Sequence, residues 1–186
     1  MSAKATLQTS CAVALALWVS AGFAATVGGV QLQPAVKSKA GSLVLATCGA
    51  KKTIVTHYVS ALYVPRTGSI QAIGDPKAGK AVHVHITDDK FLPGEVPSKW
   101  RNALARAVPP QTLGTLDSMM KELRRGDLVA ITYAPKEGTV VTRNGQLVVR
   151  ASGHRPIDEI LKTWAQDAPI ATKLDKLVAE NPCQTK

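Results

Sequence analysis

Eight aromatic residues in 186 (three Trp, three Tyr, two Phe) make a chain poor in rings. A flat polyphenol or a string of unstacked bases would find few stacking partners on it. Cysteine is as scarce: Cys11, Cys48 and Cys183, with no CxxC pair. A catalytic cysteine is not indicated either, because nothing at fixed spacing from Cys48 supplies a base that would make it a nucleophile. Acidic residues are in deficit, 13 against 23 Lys and Arg, for a net charge of +10. The basic residues are scattered, with short pairs only at Lys51-Lys52 and Arg124-Arg125, which is not the clustered footprint of a nucleic-acid binder. Such a charge suits an anionic membrane surface or an anionic small ligand, and simple solubility accounts for it equally well. No G-x-S-x-G elbow is present, so a Ser/His/Asp hydrolase is not indicated.

Long apolar runs are missing too, with one exception near the start. Lys4 is the only charge before residue 37, and Cys11–Ala24 is an apolar stretch of 14 residues. That is short for a bilayer span, and Gly22-Phe23-Ala24 offers small residues where a signal peptidase reads. Residues 1–24 therefore read as a cleaved signal peptide and 25–186 as one exported, periplasmic domain. That length holds one proper core and hardly two. In an oxidising compartment Cys48 and Cys183 are left as a pair for one structural disulfide, although pairing does not follow from sequence alone.

Periodicity orders the rest. Val30–Val36 and Ser42–Thr47 read as short strands, and Lys51–Pro65 (KKTIVTHYVSALYVP) as one long strand. Ser69–Gly74 has room for a helical turn. Lys80–Thr87 alternates cleanly, with Val82, Val84 and Ile86 opposite His83 and His85. Pro97 opens a helix to about Ala107, and Gln111–Arg125 carries Leu113, Leu116, Met120 and Leu123 as an apolar stripe. Asp127–Ala134, Thr139–Arg143 and Gln146–Ser152 form a meander whose Asn144-Gly145 pair predicts a type I′ turn. Helices begin at Pro156, running through Trp164, and at Pro169. Strands, two helices, a meander and two helices argue an α+β fold, a large antiparallel sheet with helices layered on one face as an open-faced sandwich.

The long strand is the most informative segment. Thr56, Tyr58 and Ser60 are spaced by two and share a face, so hydroxyls stand where apolar residues are expected. Such a face borders water or lines a pocket. By the same alternation Ala50, Lys52, Ile54, Thr56 and Tyr58 point one way.

The strand ending SALYVP, the segment GDLVAITYAPKEG (Gly126–Gly138), the NG turn and the helix with Trp164 before Pro169 together resemble the bacterial chalcone isomerase-like proteins, over about Val30 to Glu180. The resemblance implies that family's fold, with a cleft between sheet and helices that holds a flavonoid or a fatty acid. In the isomerases an arginine ahead of the long strand polarises the substrate; that position falls on Ala50. A strand threonine of theirs falls on Tyr58, and no tyrosine lies between Tyr63 and Tyr133 to match another. Without the cation, the developing enolate loses a stabilisation often worth ~3–4 kcal/mol, which argues against catalysis. In the fatty-acid-binding branch an arginine and a strand tyrosine grip the carboxylate. Tyr58 matches that tyrosine, and Lys52 is the candidate substitute for the arginine, binding as a point charge rather than a fork.

Other groups have plainer readings. His83 and His85, with His57, offer three nitrogens for zinc or haem iron, but no carboxylate or cysteine falls at ligand spacing and a solvated sheet face explains them. Met119-Met120 reads as core, with an adaptable pocket wall as the alternative. Trp100 and Trp164 read as helix anchors. The leading expectation is an exported, non-catalytic binder of a fatty acid or similar lipid-like ligand, with Lys52, Tyr58 and Thr56 at the site and no metal or cofactor. An isomerase or lyase acting on a small conjugated ketone, and an envelope interaction module with a filled cleft, are the alternatives.

Overall fold

The computed structural model describes residues 25–66, 74–90, 92–167 and 183. Nine strands and three helices appear among them: β1 (Ala25–Val27), β2 (Val30–Leu32), β3 (Ala35–Ser38), β4 (Gly41–Lys52), β5 (Thr56–Pro65), β6 (Lys80–Ile86), α1 (Ser98–Leu104), α2 (Pro110–Glu122), β7 (Leu128–Ala134), β8 (Gly138–Arg143), β9 (Gln146–Ala151) and α3 (Arg155–Asp167). Strands β3 to β9 form one antiparallel sheet in sequence order, and β1 and β2 pair separately as a hairpin. The order is α+β with the helices on one face. Neither the helical turn read over Ser69–Gly74 nor the last helix from Pro169 can be compared, because nearly all of the first and all of the second lie outside the described residues; the signal segment and the Trp164 side chain do as well.

The chain turns where its residues require it. Asn144 (φ 52°) and Gly145 (φ 80°) both take left-handed backbone, as a type I′ turn demands. Proline at the first position starts α2, and its apolar stripe buries Leu113, Leu116 and Met119. One expectation fails here. Lys51–Pro65 is not one strand: it is the end of β4, a turn at Thr53–Val55, and β5. Three β-branched residues form that turn without Gly, Pro, Asn or Asp, so periodicity ran straight through it.

Two apolar clusters flank the sheet. Beneath the helices, Leu62, Val82, Ile131 and Val141 of the sheet pack with Leu104, Leu116, Ile157 and Leu161. On the opposite face, Val59, Ala61, Tyr63 and Ala81 pack with Ala25 and Leu32 of the β1–β2 hairpin and with Cys183. Cys48 and Cys183 are bonded there, with Cα atoms 5.6 Å apart. Burial pushes the Tyr63 phenol up to about 12. The same face holds His83 and His85, half-buried rather than solvated. Burial first, and the neighbouring His85 second, pull His83 down to about 4. The two rings lie 6.4 Å apart, and Tyr63 is 4.9 Å from His83.

Polar clamps fix the helical layer. Asp117 on α2 accepts from the Val96 N–H at 2.8 Å and from Arg101 of α1 at 2.6 Å, so one carboxylate ties both helices to the loop between β6 and α1. The Arg101 bond and the Val96 amide hold it below the usual carboxylate range. Asp127, between α2 and β7, is also held low: burial opposes its charge, but Asn144, the Arg124 N–H and Arg143 outweigh that cost. At the start of α3, Asp158 accepts from the wholly buried Lys80 ammonium at 2.7 Å and meets His154 Nδ1 at 2.6 Å. A buried charge needs such partners to stay charged.

Candidate functional site

A cavity of about 510 Å³ lies between the sheet and the helical layer. Its floor crosses five strands, from Lys51 on β4 and Tyr58 and Ser60 on β5, through Val84 on β6 and Ile131 on β7, to Val141 on β8. Its roof is Trp100 and Leu104 of α1, Leu116, Met119 and Met120 of α2, and Ile160 of α3. Neighbouring strands stand about 4.8 Å apart, so four steps from β4 to β8 give a floor about 19 Å long. Space is left at the β4–β5 end because Gly49 and Ser60, paired across the strands, are both small.

On the floor, polarity is confined to the β4–β5 end. Lys51 and Tyr58 are register partners, so their side chains leave the same face. His57 and Ser60 join them from β5, and Ser98 and Lys99 from the first turn of α1. His57 is buried and its Nε2 lies 2.8 Å from Thr53 Oγ1 in the adjoining turn. The rest of the wall is aliphatic, thioether or indole. Such a site can take an apolar chain and hold a polar or anionic head at the lysines.

Of the three residues expected at a site, Tyr58 borders the cavity, whereas Lys52 and Thr56 do not. Lys52 does not border it; Lys51 does. The turn at Thr53–Val55 puts Lys51 and Lys52 on β4, not on the strand of Tyr58, and an irregularity between the two shifts the register. The alternation counted through Ile54 therefore selects Lys52, which does not border the cavity. Ala50, which it assigned to that same face, borders the cavity yet packs with the opposite cluster. Thr56 also turns away: a Cβ built on Gly28 would lie 2.9 Å from its methyl, which places that side chain beside the β1–β2 hairpin. Its carbonyl accepts the Thr87 hydroxyl at 2.6 Å.

Trp100 and the Met119-Met120 pair wall the cavity, Met119 serving the core as well. Their sequence signal was adjacency on amphipathic helices, which core and cavity share. The three-histidine metal set does not assemble. His57 borders the cavity, whereas His85 and His83 pair with Val59 and Ala61 on the other face. No group of three metal-ligating side chains occurs among the described residues. No helix among them is long and apolar enough to cross a membrane.

Comparison with known proteins bears on the same region. The sequence profile of a family described as chalcone isomerase-like matches residues 24–177. Among solved structures, a fatty-acid binding protein of Arabidopsis thaliana is similar to this chain with a TM-score of 0.52 and 14% identity. The match covers 83% of this chain and 93% of that one. At that identity the likeness speaks for the fold. No curated protein matches the sequence.

Proposed function

The chain belongs to the chalcone isomerase-like family, and from that footing we propose that it binds a fatty acid or similar apolar anionic ligand without turning it over. The observation that carries this is the division of one cavity into a polar end, where Lys51 stands opposite Tyr58, and an aliphatic remainder. The Lys51 ammonium supplies charge to the carboxylate and the Tyr58 hydroxyl donates a hydrogen bond to it. The chain then runs across the strands toward Val141. An extended chain advances about 1.2 Å per bond, so a floor of about 19 Å accepts up to about sixteen carbons. The structurally similar Arabidopsis protein is a fatty-acid binding protein, which supports the same reading.

An open cavity of this size also weighs against the reading of a cleft filled by its own side chains. A ketone isomerase would need a cation aimed at the developing enolate, and the position matched to the family's arginine is Ala50, a methyl packed on the other face. We further infer that residues 1–24 direct export to the periplasm. Amino-terminal sequencing of the protein recovered from the periplasmic fraction then begins near Ala25, whereas an intact Met1 terminus contradicts export with cleavage. The binding reading is tested by titrating the purified protein with saturated fatty acids of eight to twenty carbons. Saturable one-to-one binding that strengthens up to about sixteen carbons and then falls supports it. Equal, non-saturating uptake of all lengths sinks it.

A further inference from the structure

The turn between β4 and β5 breaks a local rule. Tight turns take Gly, Asn, Asp or Pro, because these tolerate the backbone geometry or bond back to it. This one is Thr53-Ile54-Val55, with Ile54 95% exposed and Val55 41% exposed. Neither side chain belongs to either apolar cluster, and Ile54 in particular is left almost wholly in water by the fold. A bulky apolar pair at a tip, where the fold would accept polar residues at no cost, marks contact with something else. Lys51 and Lys52 precede the turn, both exposed and neither with an ion-pair partner among the described residues. Asp88, whose N–H bonds the His57 carbonyl close to the turn at 3.1 Å, has its carboxylate turned onto its own loop, accepting the Lys90 N–H at 2.9 Å. Lys51 and His57, on either side of the turn, are also the polar end of the cavity.

We propose that this tip docks on an anionic lipid surface, with Ile54 and Val55 entering the acyl boundary and Lys51 and Lys52 meeting the lipid phosphates. Exposed apolar side chains beside lysines are the combination that an interface of this kind selects, and the chain's net charge of +10 favours the same approach. Docking by this hairpin turns the polar mouth of the cavity toward the headgroup layer, where a fatty acid would enter or leave. The purpose of the docking rests on the proposed ligand; the contacts do not.

The test is sedimentation of the purified protein with phosphatidylcholine vesicles, with and without phosphatidylglycerol, for the wild type and for Ile54→Asp, Lys52→Glu and Leu147→Asp. None of these three residues borders the cavity, and Leu147 is exposed on edge strand β9. The wild type and Leu147→Asp bind the anionic vesicles; Lys52→Glu and Ile54→Asp each bind about five-fold more weakly or worse. All four keep the same melting temperature and the same affinity for myristate in solution. Equal vesicle binding by wild type and Ile54→Asp overturns the proposal, as does wild-type binding no stronger to anionic than to neutral vesicles. Should myristate fail to bind while vesicle binding still depends on Ile54, the ligand reading falls and the docking stands.

Discussion

Replacing Lys51 by methionine keeps the length of the side chain and removes its charge, and the outcome separates this lysine from its neighbour. Lys51 borders the cavity opposite Tyr58, whereas Lys52 does not border it. A hydrogen bond to a charged partner contributes about 1.5–3 kcal/mol when well shielded. Lys51 is exposed at the mouth, and exposed ion pairs contribute only about 0.2–1 kcal/mol. The upper part of that lower range applies, because one side of the pair is cavity wall; about 1 kcal/mol corresponds to about five-fold in Kd. Tyr58→Phe removes one hydrogen bond, also about 1 kcal/mol. The assay is competition between myristate and a fluorescent fatty acid at low ionic strength. Lys51→Met and Tyr58→Phe each raise Kd about five-fold, and Lys52→Met leaves it within about two-fold. Raising the salt shrinks the Lys51 effect, because screening acts on an exposed charge. If Lys52→Met weakens binding more than Lys51→Met, the register argument is wrong.

Other outcomes follow from the same geometry. Val141→Phe, at the far end of the floor, shortens the space for the chain, so affinity for sixteen carbons falls while affinity for ten is kept; equal losses for both lengths contradict the orientation. His83 is neutral in the fold, with its pKa at about 4 against an ordinary 6.5, so the unfolded chain binds the extra proton between those values. Stability is therefore full above pH 6.5 and falls as pH drops toward 4, by about 3 kcal/mol at the end of that window. Urea unfolding from pH 7 to pH 4 reads this slope, and His83→Phe flattens it; an unchanged slope refutes the burial argument. Reducing the Cys48–Cys183 bond opens a link spanning 135 positions, with an expected loss of about 2–5 kcal/mol in urea unfolding; no change on reduction contradicts a closed bond in the native protein.

The fold was legible where residues speak with a short period. β6 alternates, α2 carries its stripe, and Asn144-Gly145 names its own turn. The site was half legible. Tyr58 stood out because a ring with a hydroxyl breaks the apolar pattern of a strand end. Lys51 was passed over because the deciding feature, the turn at Thr53–Val55, is built from residues that favour strands. One unnoticed turn and one register irregularity were enough to exchange a cavity lysine for a surface one. Burial of His83 and His85 was invisible for a different reason: alternation places them on a face but does not tell what covers it. Trp100 and Met120 sit on helices whose faces read identically whether the space beneath is filled or empty, and only the packing distinguishes the two.

Ser60 gives the most direct test of the central claim, because it is 4% exposed and its side chain faces the polar end of the cavity. The measurement is calorimetric titration of myristate into the wild type and Ser60→Phe, with urea unfolding as the control for folding. The account predicts one-to-one binding to the wild type and its loss in a Ser60→Phe protein that still unfolds cooperatively. Unchanged binding to a folded Ser60→Phe would show that the ligand lies elsewhere.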